Sequence, residues 1–213
     1  STLLYAPTWE GGVPDENFSS INNSIDRLLL KVVRDQSIKK LVIQTHPNLG
    51  HRDENYKKSL KLLLSKLVKQ NLSVLVIKNK ISVRDKIQAV YGGFRYISSS
   101  NEISVSHAIT DISAMEVQLL VKNIPTTVLA NRHIYEELVI PNNMALYYSN
   151  TMMFLEQKDN NSLCFYSPEI ILSYIEGYED ESLERLSFNK RVEWLCRFVN
   201  ENRVSQAKLR ENI

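Results

Sequence analysis

Thr110, Asp111 and Ser113 crowd a carboxylate and two hydroxyls between an apolar run ending at Ile109 and the helix-like run Ala114-Met115-Glu116-Val117-Gln118-Leu119-Leu120-Val121. Strand, tight turn and helix in that order place the turn outside the carboxyl end of a strand. An open α/β sheet holds its ligands there. The first N–H groups of the following helix point into the same space, and a helix N-terminus favours a phosphate or another anion. The chemistry indicated is anion binding, with a nucleoside diphosphate the leading candidate. Thr110, Asp111, Ser113, Ala114 and Glu116 are the residues available for it. Ser113-x-x-Glu116 also reads as a capping box, in which each side chain satisfies a backbone N–H at the helix start. The two readings are compatible, because a capped helix still offers free N–H groups. Asp111 must either cap the turn or hydrogen-bond a ligand, since burying a carboxylate unpaired is costly.

Two more loops follow apolar runs. Pro7-Thr8-Trp9-Glu10-Gly11-Gly12 offers the Thr8 hydroxyl and two glycines that let the backbone approach a ligand. Its spacing fits neither the Walker nor the dinucleotide fingerprint, and a flexible turn before a helix is the alternative. In Thr45-His46-Pro47-Asn48, His46 could donate to a phosphate, act as acid or base near neutral pH, or be structural. A lone histidine is more often structural, and its place at the same sheet edge as the other two loops brings the ligand role level with that reading. His51 and His107 have weaker cases. No histidine–carboxylate spacing suits zinc, no cofactor is implied, and no nucleophile elbow or serine triad is present.

These loops need a scaffold. Apolar runs over 3–6, 41–45, 74–77, 94–97, 107–110 and 126–130 alternate with helix-like stretches. That alternation predicts an α/β fold, a Rossmann-like parallel sheet of five or six strands with helices on both faces. Helices are expected over 18–34, 53–70, 83–90, 101–106 and 132–138. In the second, Lys57, Lys58, Lys61, Lys66 and Lys69 form a solvated face and Asn71 a left-handed close. Residues 141–166 are ambiguous, with Tyr147, Tyr148, Met152, Met153 and Phe154 reading as buried packing. Pro168 starts a further helix, and the last long one spans 182–200. With no repeat, low-complexity linker or heptad seam, residues 1–213 read as a single domain.

Composition narrows the function classes. A hydrophobic fraction of 43% supports a sizeable core, and a net charge of +2 with interspersed signs implies no strongly charged partner. No nucleic-acid motif, membrane-spanning run or signal peptide is present. Cys164 and Cys196 have no metal-ligand spacing and read as reduced thiols of a cytoplasmic protein. The chain opens directly in a strand-like run at Thr2, without methionine, and so reads as a fragment with an upstream part absent.

Three motifs together carry a family resemblance. Leu3-Leu4-Tyr5-Ala6-Pro7-Thr8-Trp9 resembles the "hydrophobic-Tyr-Ala-Pro-Thr-Trp" strand and loop of the CDP-glycerol glycerophosphotransferases, polymerases of teichoic acid synthesis. Gln44-Thr45-His46-Pro47 resembles their "Lys-x-His-Pro" element, and Ile109-Thr110-Asp111-Ile112-Ser113-Ala114 their "Ile-Thr-Asp-Tyr-Ser-Ser". Leu119 to Leu129 resembles the helix and "Lys-Pro-hydrophobic" strand that follow. The motifs keep the family's order over residues 3–138. The resemblance implies the C-terminal, donor-binding half of a GT-B transferase. His46 and the Thr110-Asp111-x-Ser113 turn would serve the phosphates of a nucleotide-activated donor, CDP-glycerol or a nucleotide sugar. A polymer or lipid-linked acceptor and a basic histidine would belong to an absent N-terminal half. It also implies a cytoplasmic protein of surface-polymer or capsule synthesis, peripheral at the inner membrane face. Four positions depart: Glu10 stands where the family often has Arg, Gln44 where it has Lys, and Ile112 and Ala114 where it has Tyr and Ser. The departures open three readings: a nucleotide-sugar donor, a half with little activity, or a different activity on the same half-fold. The last includes an epimerase-like enzyme and a non-catalytic interaction module.

Overall fold

A computed structural model of the chain describes residues 1–21, 25–99, 103–122, 124–132, 136 and 152–154. Its core is a parallel sheet of seven strands. They are β1 (Thr2–Ala6), β2 (Lys40–Ile43), β3 (Ser73–Ile77), β4 (Arg95–Ile97), β5 (His107–Asp111), β6 (Thr126–Ala130) and β7 (Met152–Phe154), in the spatial order β4-β3-β2-β1-β5-β6-β7. Every neighbouring pair is parallel; Leu3 lies beside both Leu41 and His107, and Ala108 beside Thr126. β7 adds one strand to the five or six expected, and it lies in the stretch whose sequence shows no clear period.

Alternation along the strands explains the apolar runs. Leu3, Tyr5, Leu41, Ile43, Val74, Val76, Ile109 and Leu129 face one layer, with α1 (Ile25–Asp35) and α2 (Asn55–Leu67) packed on it. Leu4, Ala6, Val42, Leu75 and Ala108 face the other, against Leu119 of α4 (Ala114–Val121) and the half-buried Ile103 and Val105. A sheet covered on both faces needs apolar residues at consecutive positions. The five lysines of the second helix are exposed, and Lys66 reaches Asp26 of α1 at 2.8 Å. Asn71 takes the left-handed conformation after a short 3₁₀ turn, at φ 54° and ψ 36°. In α3 (Val83–Gly92), Ser82 and Asp85 form a capping box, and Lys78 holds the Asp85 carboxyl down to about 2.

Three expected elements differ. The first helix begins at Ile25, and residues 18–21 are not helical, because the Ser19 hydroxyl bonds to the Thr8 carbonyl and the Ser20 N–H to the Asp111 carboxyl. Residues 103–106 form no helix. The Ser106 hydroxyl accepts the Thr2 N–H and donates to the Thr2 carbonyl, a side-chain bond that competes with helical pairing. The second strand stops at Ile43, short of Thr45. Cys164, Cys196, the helices expected from Pro168 onward and most of 132–138 lie outside the described residues.

Strand order fixes where a ligand can sit. The chain builds outward from β1 through β2 and β3 to β4, then crosses to the other side of β1 for β5. The direction of winding reverses between β1 and β5, and such a switch point opens a crevice at the carboxyl ends of the strands. The loops after β1, β2 and β5 all leave the sheet at that edge.

Candidate functional site

Each loop at this edge is stitched to a neighbour. Asp111 closes β5 with a fully buried side chain. Its Oδ2 accepts the Thr8 N–H at 2.8 Å and the Ser20 N–H at 3.1 Å, so the carboxylate clamps both ends of the β1–α1 loop. The Ser20 hydroxyl shares a 2.6 Å hydrogen bond with the buried Tyr5 phenol, and the Ser19 hydroxyl donates to the Thr8 carbonyl. Asp111 Oδ1 is buried with no partner among the described residues. Burial pushes the Asp111 carboxyl up to about 7, although the Ser20 and Thr8 hydrogen bonds pull the other way. Burial, and then the nearby Asp111 charge, also raises Tyr5 well above its ordinary value. Of the two options for Asp111, tying the turn is the one on display: Oδ2 holds Thr8 and Ser20, while Oδ1 has no hydrogen-bond partner among the described residues.

Glu10 stitches the other side. Its side chain is fully buried, and its oxygens accept the N–H groups of Gly50 at 2.9 Å, Arg52 at 2.9 Å and Asp53 at 3.1 Å. The Arg52 guanidinium donates to the Glu10 carbonyl at 2.6 Å. Burial alone would raise this carboxyl, but the converging N–H groups outweigh it and hold it below its ordinary value. Glu10 is therefore a structural anion that joins the β1–α1 and β2–α2 loops. Nothing in its sequence neighbourhood announces this role.

The stitching brings Trp9 and His46 together as a stacked pair, with ring centroids 5.7 Å apart and planes inclined by 16°. His46 is half-buried, and its Nδ1 accepts the Asn48 N–H at 3.2 Å. A ring nitrogen that accepts carries no proton, so this bond assigns the neutral ring its hydrogen at Nε2. Ser113 caps α4 by accepting the Met115 N–H at 3.3 Å. Ala114, the first residue of α4, is exposed.

Not every candidate reaches the crevice with a free group. The Thr110 hydroxyl is fully buried and donates to the Ala6 carbonyl at 2.9 Å. Glu116 is buried in the first turn of α4. Gly11 has φ +73°, and a Cβ there would lie 2.6 Å from the Glu16 carbonyl oxygen. Gly12 has an ordinary φ and open space, with Glu16 Oε2 at 3.6 Å from a built Cβ. Gly11→Ala is therefore expected to cost about 1–3 kcal/mol, and Gly12→Ala less than about 0.5 kcal/mol, in urea denaturation. Equal losses would show that both glycines serve something other than the turn. His51 is exposed, and His107 begins β5 at the opposite edge of the sheet.

A cavity of about 380 Å³ lies on the α4 side of the sheet, lined in part by Leu4, Leu119, Val105 and Ile124. Gln44, two residues before His46, and Met115, two after Ser113, also line it, with Gln118 of α4 and Lys122 just past the end of that helix. The sequence gives Gln118 and Lys122 no functional signal, because a solvated helix face reads the same way. Among the described residues no group of three or more His, Cys, Asp or Glu could hold a metal ion, and no helix is long and apolar enough to cross a membrane.

No family model, curated protein or solved structure matches the chain. At the carboxyl edge of β2, β1 and β5 stand an imidazole, a capped helix N-terminus and a buried carboxyl oxygen without a hydrogen-bond partner among the described residues. The first two suit an anion.

Proposed function

We propose that the crevice binds the phosphates of a nucleotide-activated donor and that the domain is the donor-binding half of a transferase. The transferred group would be glycerol phosphate, as in CDP-glycerol, or a sugar. The observation that supports this reading most is that the His46 loop and the α4 N-terminus leave the same carboxyl edge of a parallel sheet, on either side of β1. His46 Nε2–H would donate to a phosphate oxygen, and the α4 N-terminus would favour the same negative charge. Both groups gain as charge builds on the leaving nucleotide, so His46 is the residue given a catalytic role. The cavity beyond Met115 would receive the base, where the Gln44 and Gln118 amides each offer a donor and an acceptor.

The acceptor, a polymer or lipid-linked chain, would be presented by a second half of the enzyme, as the family resemblance implies. A cytoplasmic location at the inner membrane face accords with that acceptor.

Titration calorimetry with CDP and UDP tests the reading. His46→Ala is expected to weaken binding by about 1–3 kcal/mol, the range for a charge-assisted hydrogen bond. Unchanged affinity in a folded His46→Ala variant would make His46 structural. Failure of both nucleotides to bind would leave the non-catalytic reading.

A further inference from the structure

His46 is held from two sides, by the Asn48 N–H on Nδ1 and by the indole of Trp9 lying nearly parallel to its ring. The two rings come from different loops, and their register is not left to the rings. Glu10 follows Trp9 directly, and its carboxylate is fixed on the N–H groups of Gly50, Arg52 and Asp53 in the loop that carries His46. Trp9 also packs against the edge of the main core, so its backbone and side chain are both anchored. An imidazole held only by the Asn48 N–H would keep considerable freedom about its side-chain bonds, and that freedom is lost when a ligand is bound. A stacked aromatic neighbour removes it beforehand.

We infer that Trp9 is a positioning residue. It acts through His46, holding the imidazole with Nε2–H free for the anion, and it does not itself touch the ligand. This rests on the crevice being a nucleoside diphosphate site, but the stack itself can be tested without ligand.

The experiment uses the whole chain and three variants, Trp9→Leu, Trp9→Phe and His46→Ala. Leucine keeps apolar bulk against the core and removes the stack; phenylalanine keeps a ring. In the ligand-free protein, nuclear magnetic relaxation reads the order of the His46 ring, and its ring protons report the indole through their upfield shift. Order and shift are expected in the parent, order is expected to persist in Trp9→Phe, and both should be lost in Trp9→Leu. A His46 ring equally ordered in Trp9→Leu would overturn the inference, whatever binds the crevice.

The second arm measures CDP binding. Trp9→Leu is expected to weaken it about two- to tenfold, the worth of an aromatic pair, and Trp9→Phe by less than about twofold. In the His46→Ala background Trp9→Leu should change nothing further, because its effect runs through the imidazole. Additive losses would show that Trp9 touches the ligand and would overturn the inference. Absence of CDP binding to the parent would refute the nucleotide reading, and the relaxation arm would still decide the stack.

Discussion

Between pH 5 and pH 8 the protein is expected to lose on the order of 3 kcal/mol of stability through Asp111, and Asp111→Asn is expected to be free of that loss. The cause is burial. Asp111 has no exposed surface, and its carboxyl is pushed up to about 7 in the folded protein. In the unfolded chain the same group loses its proton near pH 4. Between those values the native state holds a proton that the unfolded state has released, so stability falls as pH rises. The contribution is full below about pH 4, declines up to about pH 7 and is level above it. His107 works in the opposite sense. Partial burial, and then the N-terminal charge, hold its imidazole below the ordinary value, so it adds stability as pH rises. Subtracting the Asp111→Asn curve from the parent curve removes that term. Asparagine can still accept the Thr8 and Ser20 N–H groups through its carbonyl oxygen, and it places an uncharged NH₂ where Oδ1 lacks a partner. Urea denaturation of both proteins at pH 5, 6, 7 and 8 measures the difference. Parallel curves would mean that water or another group already solvates the carboxylate.

Asp111 also marks how far sequence reading reaches at this site. The sheet and its carboxyl edge were legible because their signals are local. Apolar runs such as Leu41-Val42-Ile43 require two covered faces, and a loop after a parallel strand must leave at the carboxyl edge. That Thr8, His46 and Ser113 share an edge followed from the same two facts. The partners of the buried carboxylates were not legible, because they lie far along the chain. Asp111 meets Ser20 across 91 residues, and Glu10 meets Gly50 across 40. No spacing rule reaches that distance. The helix expected from residue 18 failed for the same reason: the polar groups of Ser19 and Ser20 bond to Thr8 and Asp111, not within a first turn. Glu10 is the sharpest case. Compared with a family that often carries Arg there, it reads as a cation lost from a phosphate site; in the fold it is an anion that three N–H groups require.

That contrast gives the second large effect. Glu10→Ala is expected to destabilise the protein by about 2–4 kcal/mol, because it strips the acceptor from three converging N–H groups. The sum of three unmet donors would be larger. Arg52 is exposed, however, so water can reach part of the loop and recover some of the loss. Glu10→Gln keeps one accepting oxygen and should cost about half as much. The pH sign is opposite to that of Asp111. The Glu10 carboxyl is held below its ordinary value, so its contribution is present above the unfolded value near 4.5 and is lost as pH falls through the folded one. Function should follow stability here, since the same bonds fix the register of Trp9 against His46. Glu10→Ala is therefore expected to weaken CDP binding even under conditions where the variant is fully folded. Glu10→Arg, which installs the residue common in the family that the sequence resembles, is expected to be at least as damaging as alanine. It would aim a cation at N–H groups that already point inward with nothing to accept them. Urea denaturation and CDP titration of the three variants, side by side, decide the matter. An arginine variant as stable as the parent and tighter for CDP would mean that position 10 faces the ligand and that the N–H groups of Gly50, Arg52 and Asp53 find their acceptors elsewhere.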